Sequence, residues 1–488
     1  MKRKTKAAAI FGVAAALSAG AAVTSLAAWE QTGADWIYTD SSGYRVTDAW
    51  RQSGDYYFYL DSDGIMARDQ WVEDSYYVDV NGARVSSRWV WADEGGDAPS
   101  SDGGWFYLDA NGRAVTDGWR VINGQRYHFD SDGRMSYGWL TDEDDHLYYL
   151  GDESDGAAKT GWLCLDYDEE DGHEDGEVAG IMTGGGTWFY FLENGRALRA
   201  DDGETYVNRM INGYRYYFDE NGAMATGWVS VGEREAEDAT GVSTLKYFGG
   251  PDEGQMARGW RYLYDDPEDT EDDDFAFGPA TPSEMTPSQW GNRYDGGEGA
   301  WYYFDNSGTP EYLKTGAETV TDATVRINGH RYFFDEYGRM KSGLIGFRQE
   351  DGTIVSAYFG ADDSDGAMKT GRQPNVYEED GERSTFYFNN NGGETGTRNG
   401  YLYYQGKLVQ AEEGEDFQVF EVNGQLYLVN EAGRVQTSDR AYRVDGEYYY
   451  EYEDGTIYRV NDDRERLGEV TEGERLPRIS YEEVYALN

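Results

Sequence analysis

Apolar side chains along this chain come in short aromatic clumps set between polar turns. Gln125-Arg126-Tyr127-His128-Phe129 runs straight into Asp130-Ser131-Asp132-Gly133, and Tyr216-Tyr217-Phe218 into Asp219-Glu220-Asn221-Gly222. Runs of strand formers closed at both ends by turn residues predict short β-strands. Asn123-Gly124, Asn212-Gly213, Asn328-Gly329 and Asn423-Gly424 precede such runs, and this dipeptide accepts positive φ at both central turn positions, so it predicts tight hairpins.

The clumps recur. GWRVINGQRYHFDSDGRMSYGW (118–139), MINGYRYYFDENGAMATGW (210–228), VRINGHRYFFDEYGRMKSG (325–343) and WRQSGDYYFYLDSDGIMARDQW (50–71) share one frame: Trp, a turn, two or three aromatics, Asp, a second turn ending in Gly, then Met or Val. Trp50 to Trp71, Trp71 to Trp89, Trp119 to Trp139 and Trp139 to Trp162 are 21, 18, 20 and 23 residues apart. A lone two-stranded hairpin is unstable in water, so units of this length must stack on one another. The expected fold is all-β, a repetitive β-hairpin solenoid of about 20-residue aromatic and Gly repeats with acidic loop insertions. Aromatic rings suit it, because each buries roughly 150–250 Å² in a unit with little aliphatic core. The expected organisation is a leader over 1–28, an N-terminal array over 29–261, an acidic insertion over 262–298 that breaks the stack, a C-terminal array over 299–460, and a tail or cap over 461–488.

Charge narrows the function. The 42 Lys and Arg face 93 Asp and Glu, a formal charge of −51, which excludes a nucleic-acid-binding surface. Residues 1–28 begin with four basic side chains, continue in an uncharged Ala-rich run and end in small residues, the anatomy of a cleaved secretory signal, with an uncleaved anchor helix as the competing reading. The mature chain then has no membrane-crossing segment and is expected to be secreted or held at a bacterial cell surface. The single Cys164 permits no internal disulfide.

The frame Gly118-Trp119, Gly124, Tyr127 to Phe129, Gly133, Met135, Gly138-Trp139, repeated in Met224-Ala225-Thr226-Gly227-Trp228, resembles the cell-wall-binding repeat family, which includes the choline-binding modules and glucan-binding repeats of Gram-positive surface proteins. The resemblance covers roughly residues 36 to 460. It implies ligand sites between consecutive hairpins, walled by aromatics with Met beneath. Carried onto this sequence, it points to Trp105, Trp119, Tyr127, Met135, Trp139, Tyr148, Tyr149, Trp188, Trp228 and Trp301. A quaternary ammonium cannot donate a hydrogen bond, so ring faces are the way to hold it. Where the choline pattern has an aromatic before the Tyr pair, this chain has Arg126, Arg215 and Arg331, while Trp105, Trp188 and Trp301 keep the ring. A cation at that wall weakens a cage for another cation but can hydrogen-bond sugar hydroxyls or phosphate.

Other chemistry is thin. His128, His146, His173 and His330 have no metal-ligand spacing, Gly184-Gly185-Gly186 lacks a phosphate loop's lysine, and no nucleophile elbow appears. The Asp-x-Asp-Gly segments read as turns rather than calcium loops, although so acidic a surface suits diffuse Ca²⁺ binding. The expected function is therefore a non-catalytic protein without cofactor or metal. It attaches to cell-wall polymer or another glycan through aromatic grooves. The alternatives are a structural stalk without glycan ligand and a choline-specific anchor on phosphocholine-bearing polymer.

Overall fold

A computed structural model describes residues 27–168, 172–232, 234–263, 299–362, 364–444, 448–461 and 463–487. The leader, apart from its final Ala27 and Ala28, and the acidic insertion, apart from Tyr262 and Leu263, lie outside the described residues.

The repeat unit is a β-hairpin, as its residues dictate. Gly118–Ile122 pairs antiparallel with Gln125–Phe129. Between them Asn123 and Gly124 take φ of 51° and 87°, and Asn212, Asn328 and Asn423 take φ of 49–53°, the left-handed pair that matches the twist of the strands. The next turn is tied by a carboxylate: Asp130 Oδ1 accepts the backbone N–H of Asp132 at 3.1 Å and of Arg134 at 2.8 Å. Asp61, Asp79, Asp109 and Asp305 do the same two and four residues on. The Asp-x-x-Gly segments are thus turn devices.

Beyond the turn the chain reaches back to the preceding hairpin. Met135 N donates to Trp105 O at 2.8 Å, Arg84 N to Tyr57 O at 2.8 Å, Met256 N to Arg215 O at 2.9 Å and Met368 N to Arg331 O at 2.8 Å. Backbone bonds and ring packing therefore couple successive repeats, as an array stabilised by nearest neighbours requires.

The chain divides into two compact units, 1–199 and 200–488. In the first, every described sheet is a two-stranded hairpin. Its tryptophans fall into two classes. Trp71 and Trp139 stand on three-residue strands and are buried, each capped edge-on by a Phe of the following hairpin, Phe106 at 5.0 Å and Phe189 at 5.2 Å. Trp50, Trp89, Trp119 and Trp162 stand on five-residue strands and remain half-buried.

The second unit begins alike. Trp228, on a three-residue strand, is buried against Tyr302 at 5.2 Å, and Trp260, on a five-residue strand, is half-buried. The boundary expected within 262–298 falls inside a hairpin, because Gly259–Leu263 pairs with Ala300–Phe304 in unbroken register. Ladder bonds and the Trp260 packing hold the two strands together whatever lies between them.

No tryptophan occurs after Trp301, and there most of the described sheets widen to three, four or six strands, the hairpin of Phe417–Val422 and Gln425–Asn430 staying two-stranded. The segment 461–488 is neither a loose tail nor a cap on one hairpin. Arg466–Glu469 pairs with Thr456–Val460. The chain then runs back past earlier repeats. Glu474 N donates to Val419 O at 2.7 Å, Arg478 O accepts from Lys407 Nζ at 2.8 Å, and Ser480 N donates to Glu378 Oε2 at 3.0 Å. Glu483–Ala486 finally joins Leu344–Arg348 as a parallel strand, and Leu487 enters the core of Phe333, Ile345, Phe347, Ala357 and Phe359. Under this strap Lys407 Nζ lies 2.7 Å from Glu378 Oε1, with the Glu378 side chain wholly buried. A carboxylate there is tolerated because a cation and backbone donors replace its water.

Candidate functional site

Half-buried tryptophans on five-residue strands have ring faces to offer, and two of them head matching corners. In the first unit Trp89 meets Tyr107 of its own hairpin at 5.1 Å and 62°, and Tyr127 of the next at 4.9 Å and 64°, with Phe129 behind at 5.7 Å. Trp105 stands on the partner strand, edge-on to Trp91 at 5.5 Å, and Met135 lies in the floor cluster with Ile122 and Phe129. In the second unit Trp260 meets Tyr303 at 5.2 Å and 69°, Tyr332 at 4.8 Å and 67°, and Phe334 at 5.8 Å. Trp301 is edge-on to Tyr262 at 5.3 Å, and Met340 lies beneath with Ile327 and Phe334. Corresponding separations agree within 0.2 Å.

The walls stand steeply to one another, Trp260 and Trp301 at 85°. The rings meet edge to face, as a corner rather than a platform. Burial, then the Asp155 charge, pushes the Tyr127 phenol up, so its ring stays neutral at physiological pH. Among the described residues, no Lys or Arg cation of the chain lies over Trp89, Trp105, Tyr127, Trp260, Trp301 or Tyr332.

The other expected site residues are disposed differently. Trp139 and Trp228 are 1% and 3% exposed and Tyr149 is 1% exposed, so all three are core and have no face for a ligand. Their partners on the next hairpin cover them, a tertiary effect that the repeat frame does not encode. Trp119 meets Tyr148 at 4.6 Å, but Tyr148 is buried and bonded to Asp142 and Arg196, and the Arg126 guanidinium lies 4.3 Å above the Trp119 ring. Trp162 and Trp188, 6.2 Å apart at 82°, repeat the Trp260–Trp301 pair within the first unit. The wall arginines serve the chain itself: Arg126 donates to Asn194 O, Arg215 to Asn208 Oδ1 at 2.8 Å, and Arg331 to Thr321 O at 3.0 Å.

Trp89, Trp260, Tyr332 and Met340, which complete the two corners, are not among the residues to which the sequence points. Each occupies the frame position of a residue that was named, so the repeat itself carried the signal. Nor does the sequence point to a third corner. The guanidinium carbon of Arg84 lies 4.3 Å from the Tyr57 ring, 5.5 Å from Trp50 and 5.8 Å from Tyr76, a set of contacts worth about 1–2 kcal/mol. A concavity of about 640 Å³ lies beside the strap between Tyr404, Glu421, Arg475, Arg478 and Tyr481, and none of the corner rings lines it.

Known families and proteins match parts of this chain. Choline-binding repeat families match residues 45–84 and 115–162, and a cell wall binding repeat matches 100–114, 183–197, 209–224 and 293–309. Glucosyltransferase-S of Streptococcus mutans is 26% identical over 194 residues, 32% of this chain and 13% of the enzyme. Glucosyltransferase-I of Streptococcus downei is 24% identical over 422 residues, 73% of this chain and 23% of the enzyme. The chain thus spans less than a quarter of either relative. Choline binding protein F of Streptococcus pneumoniae, solved in the presence of a peptidoglycan analogue, is 20% identical with a TM-score of 0.37, covering 72% of this chain and 98% of that one. The modular autolysin LytC of the same organism, in complex with a synthetic peptidoglycan ligand, is 20% identical with a TM-score of 0.34, covering 65% and 54%. The matched segments therefore carry repeats of the cell-wall-binding type.

Proposed function

We propose that the chain is an exported, non-catalytic attachment protein that holds cell-wall polymer at ring corners between consecutive hairpins, and that the group held is a quaternary ammonium such as phosphocholine carries. The observation behind this is the pair of matching corners, Trp89-Trp105-Tyr127-Met135 and Trp260-Trp301-Tyr332-Met340. A flat sugar face stacks on a flat ring, whereas a spherical cation with no N–H gains from several faces at once. With roughly 0.5–2 kcal/mol per ring, three rings give about millimolar affinity per corner. Two corners engaged by one polymer raise that through avidity. The net charge of −51 favours a cation and disfavours bare phosphate.

A glycan reading has its own support. Trp91, 43% exposed, stands beside the first corner and offers exposed ring surface to the CH face of a sugar. Attachment through ammonium in the corner and sugar on the flanking ring is compatible with a single polymer.

The test is retention on purified wall, competed separately with choline and with soluble glucan. Release by choline, lost in a Trp105→Ala/Trp301→Ala double variant, is the expected result. Release by glucan alone, lost in Trp91→Ala, would transfer the function to the flanking ring. No retention on any wall would leave a structural stalk.

A further inference from the structure

The third corner is built like the two open ones. Trp50 meets Tyr59 at 5.2 Å and 61° and Tyr76 of the next hairpin at 5.3 Å and 67°, against 5.1 Å and 62°, and 4.9 Å and 64°, around Trp89. Tyr57 stands opposite Gln52 as Trp105 stands opposite Trp91 and Trp301 opposite Tyr262. Tyr57 replaces the wall tryptophan and Val78 the phenylalanine behind, but the change that fills the corner is at its floor. Arg84 bridges Val78 as Met135 bridges Phe129 and Met340 pairs with Phe334. Its aliphatic stem packs against Gly112, where a Cβ would strike Arg84 Cγ and Cδ, just as Gly156 abuts Met135 and Gly366 abuts Met340.

Where methionine stops, arginine continues, and its guanidinium enters the space between the three rings. Among the described residues no carboxylate forms an ion pair with it, in a chain with 93 acidic side chains. The nearby Glu73 carboxylate accepts the Trp50 indole N–H at 2.9 Å. Rings, not acids, hold this cation.

We infer that the Trp50-Tyr57-Tyr76 corner is an organic-cation site closed by the chain's own Arg84, and that the choice of Met or Arg at this one frame position decides whether a corner admits ligand. This rests on the quaternary-ammonium reading of the two open corners. A tethered guanidinium competes at a high effective concentration, and a free ligand of about millimolar affinity does not displace it.

The test follows each corner separately through the indole N–H resonances of nitrogen-15 tryptophan-labelled full-length chain during titration with choline chloride. In the parent, the Trp89, Trp105, Trp260 and Trp301 signals move and Trp50 does not. In Arg84→Met, the Trp50 signal joins them, with a midpoint at least about tenfold below the highest choline concentration at which the parent's Trp50 signal stays still, as expected once the tethered competitor is gone. In Met135→Arg, the Trp89 and Trp105 signals stop responding while Trp260 and Trp301 continue. Signal dispersion reports whether each variant folds, and Arg84→Gln supplies a second opening of the corner. A Trp50 signal that already moves in the parent, or stays still in both folded Arg84 variants while Trp260 responds, overturns the inference and leaves the open corners intact. A parent in which no signal moves sinks the quaternary-ammonium reading itself, and the inference with it.

Discussion

The stretch before Trp301 and the stretch after it solve one problem in two ways. A hairpin of two short strands cannot bury enough surface alone. Where tryptophan recurs, each unit gives one large ring to its neighbour, and sheets stay two-stranded. Where tryptophan is missing, most sheets widen, the core turns to Phe, Val, Leu and Ile, and a returning strand binds hairpins distant in sequence. The first solution keeps stability local and leaves ring faces at the junctions. The second spreads stability over many repeats and uses its rings internally. The ring corners proposed to hold ligand accordingly lie with the tryptophans.

The harshest way to break this contrast is to delete residues 474–487. That removes the parallel strand, Leu487 and the backbone partners above Glu378 and Lys407. The expected loss exceeds about 4 kcal/mol, and hydrogen exchange should show Leu344–Arg348 and Ile354–Tyr358 opening while 27–199 keeps its protection. Protection that survives throughout would mean that the strap is ornament.

Trp139→Ala is the counterpart for the local solution. Loss of this fully buried ring should cost about 3–5 kcal/mol. The opening should stay within the flanking hairpins of Trp119 and Trp162 and spare that of Trp50. Global unfolding in one transition would show that the first unit is no more local than the second.

A smaller effect comes from acid. His173 stacks on Tyr167 at 4.6 Å and meets the edge of Trp139 at 4.4 Å; burial, then the Arg199 charge, lowers its pKa from 6.5 to about 4. The folded state favours the neutral ring, so this contribution is complete above about pH 6.5 and disappears as the pH falls toward 4. The full difference corresponds to about 3 kcal/mol, and solvent reaching the half-buried ring reduces it to about 1–2. Melting at pH 7 and pH 4.5 should show a larger drop for the parent than for His173→Phe. Equal drops would assign acid sensitivity to the carboxylates instead.

The smallest change sharpens the hairpin itself. Asn123→Ala must hold φ near 51° without the local bonding that Asn offers, at about 1 kcal/mol, measurable in denaturant midpoint with an unchanged slope. A neutral result would show the stack, not the turn, setting the register.

Much of this was legible in the sequence because it is local. Asn-Gly placed the turns, Asp at a fixed offset placed the return, and the recurrence of Trp gave the stacking. Trp105, Tyr127, Met135 and Trp301, to which the family resemblance points, stand at ring and floor positions of the corners. What stayed hidden depends on the neighbouring hairpin. Trp139 and Trp228 look like Trp89 in the frame but are covered by Phe189 and Tyr302. Arg84 looks like a surface residue until three rings are seen around it. The return of Glu483 to Ile345 joins positions about 140 residues apart, with no periodicity to announce it.

That separation sets a timetable. The hairpins of the first unit can pack as each one emerges from the ribosome. The sheet containing Leu344–Arg348 cannot be completed until Glu483–Ala486 has been made, about ten to thirty seconds later at ordinary rates of synthesis. Throughout that interval one edge of the strand stands open to any extended chain nearby, and a chaperone or a translocating state would have its work there.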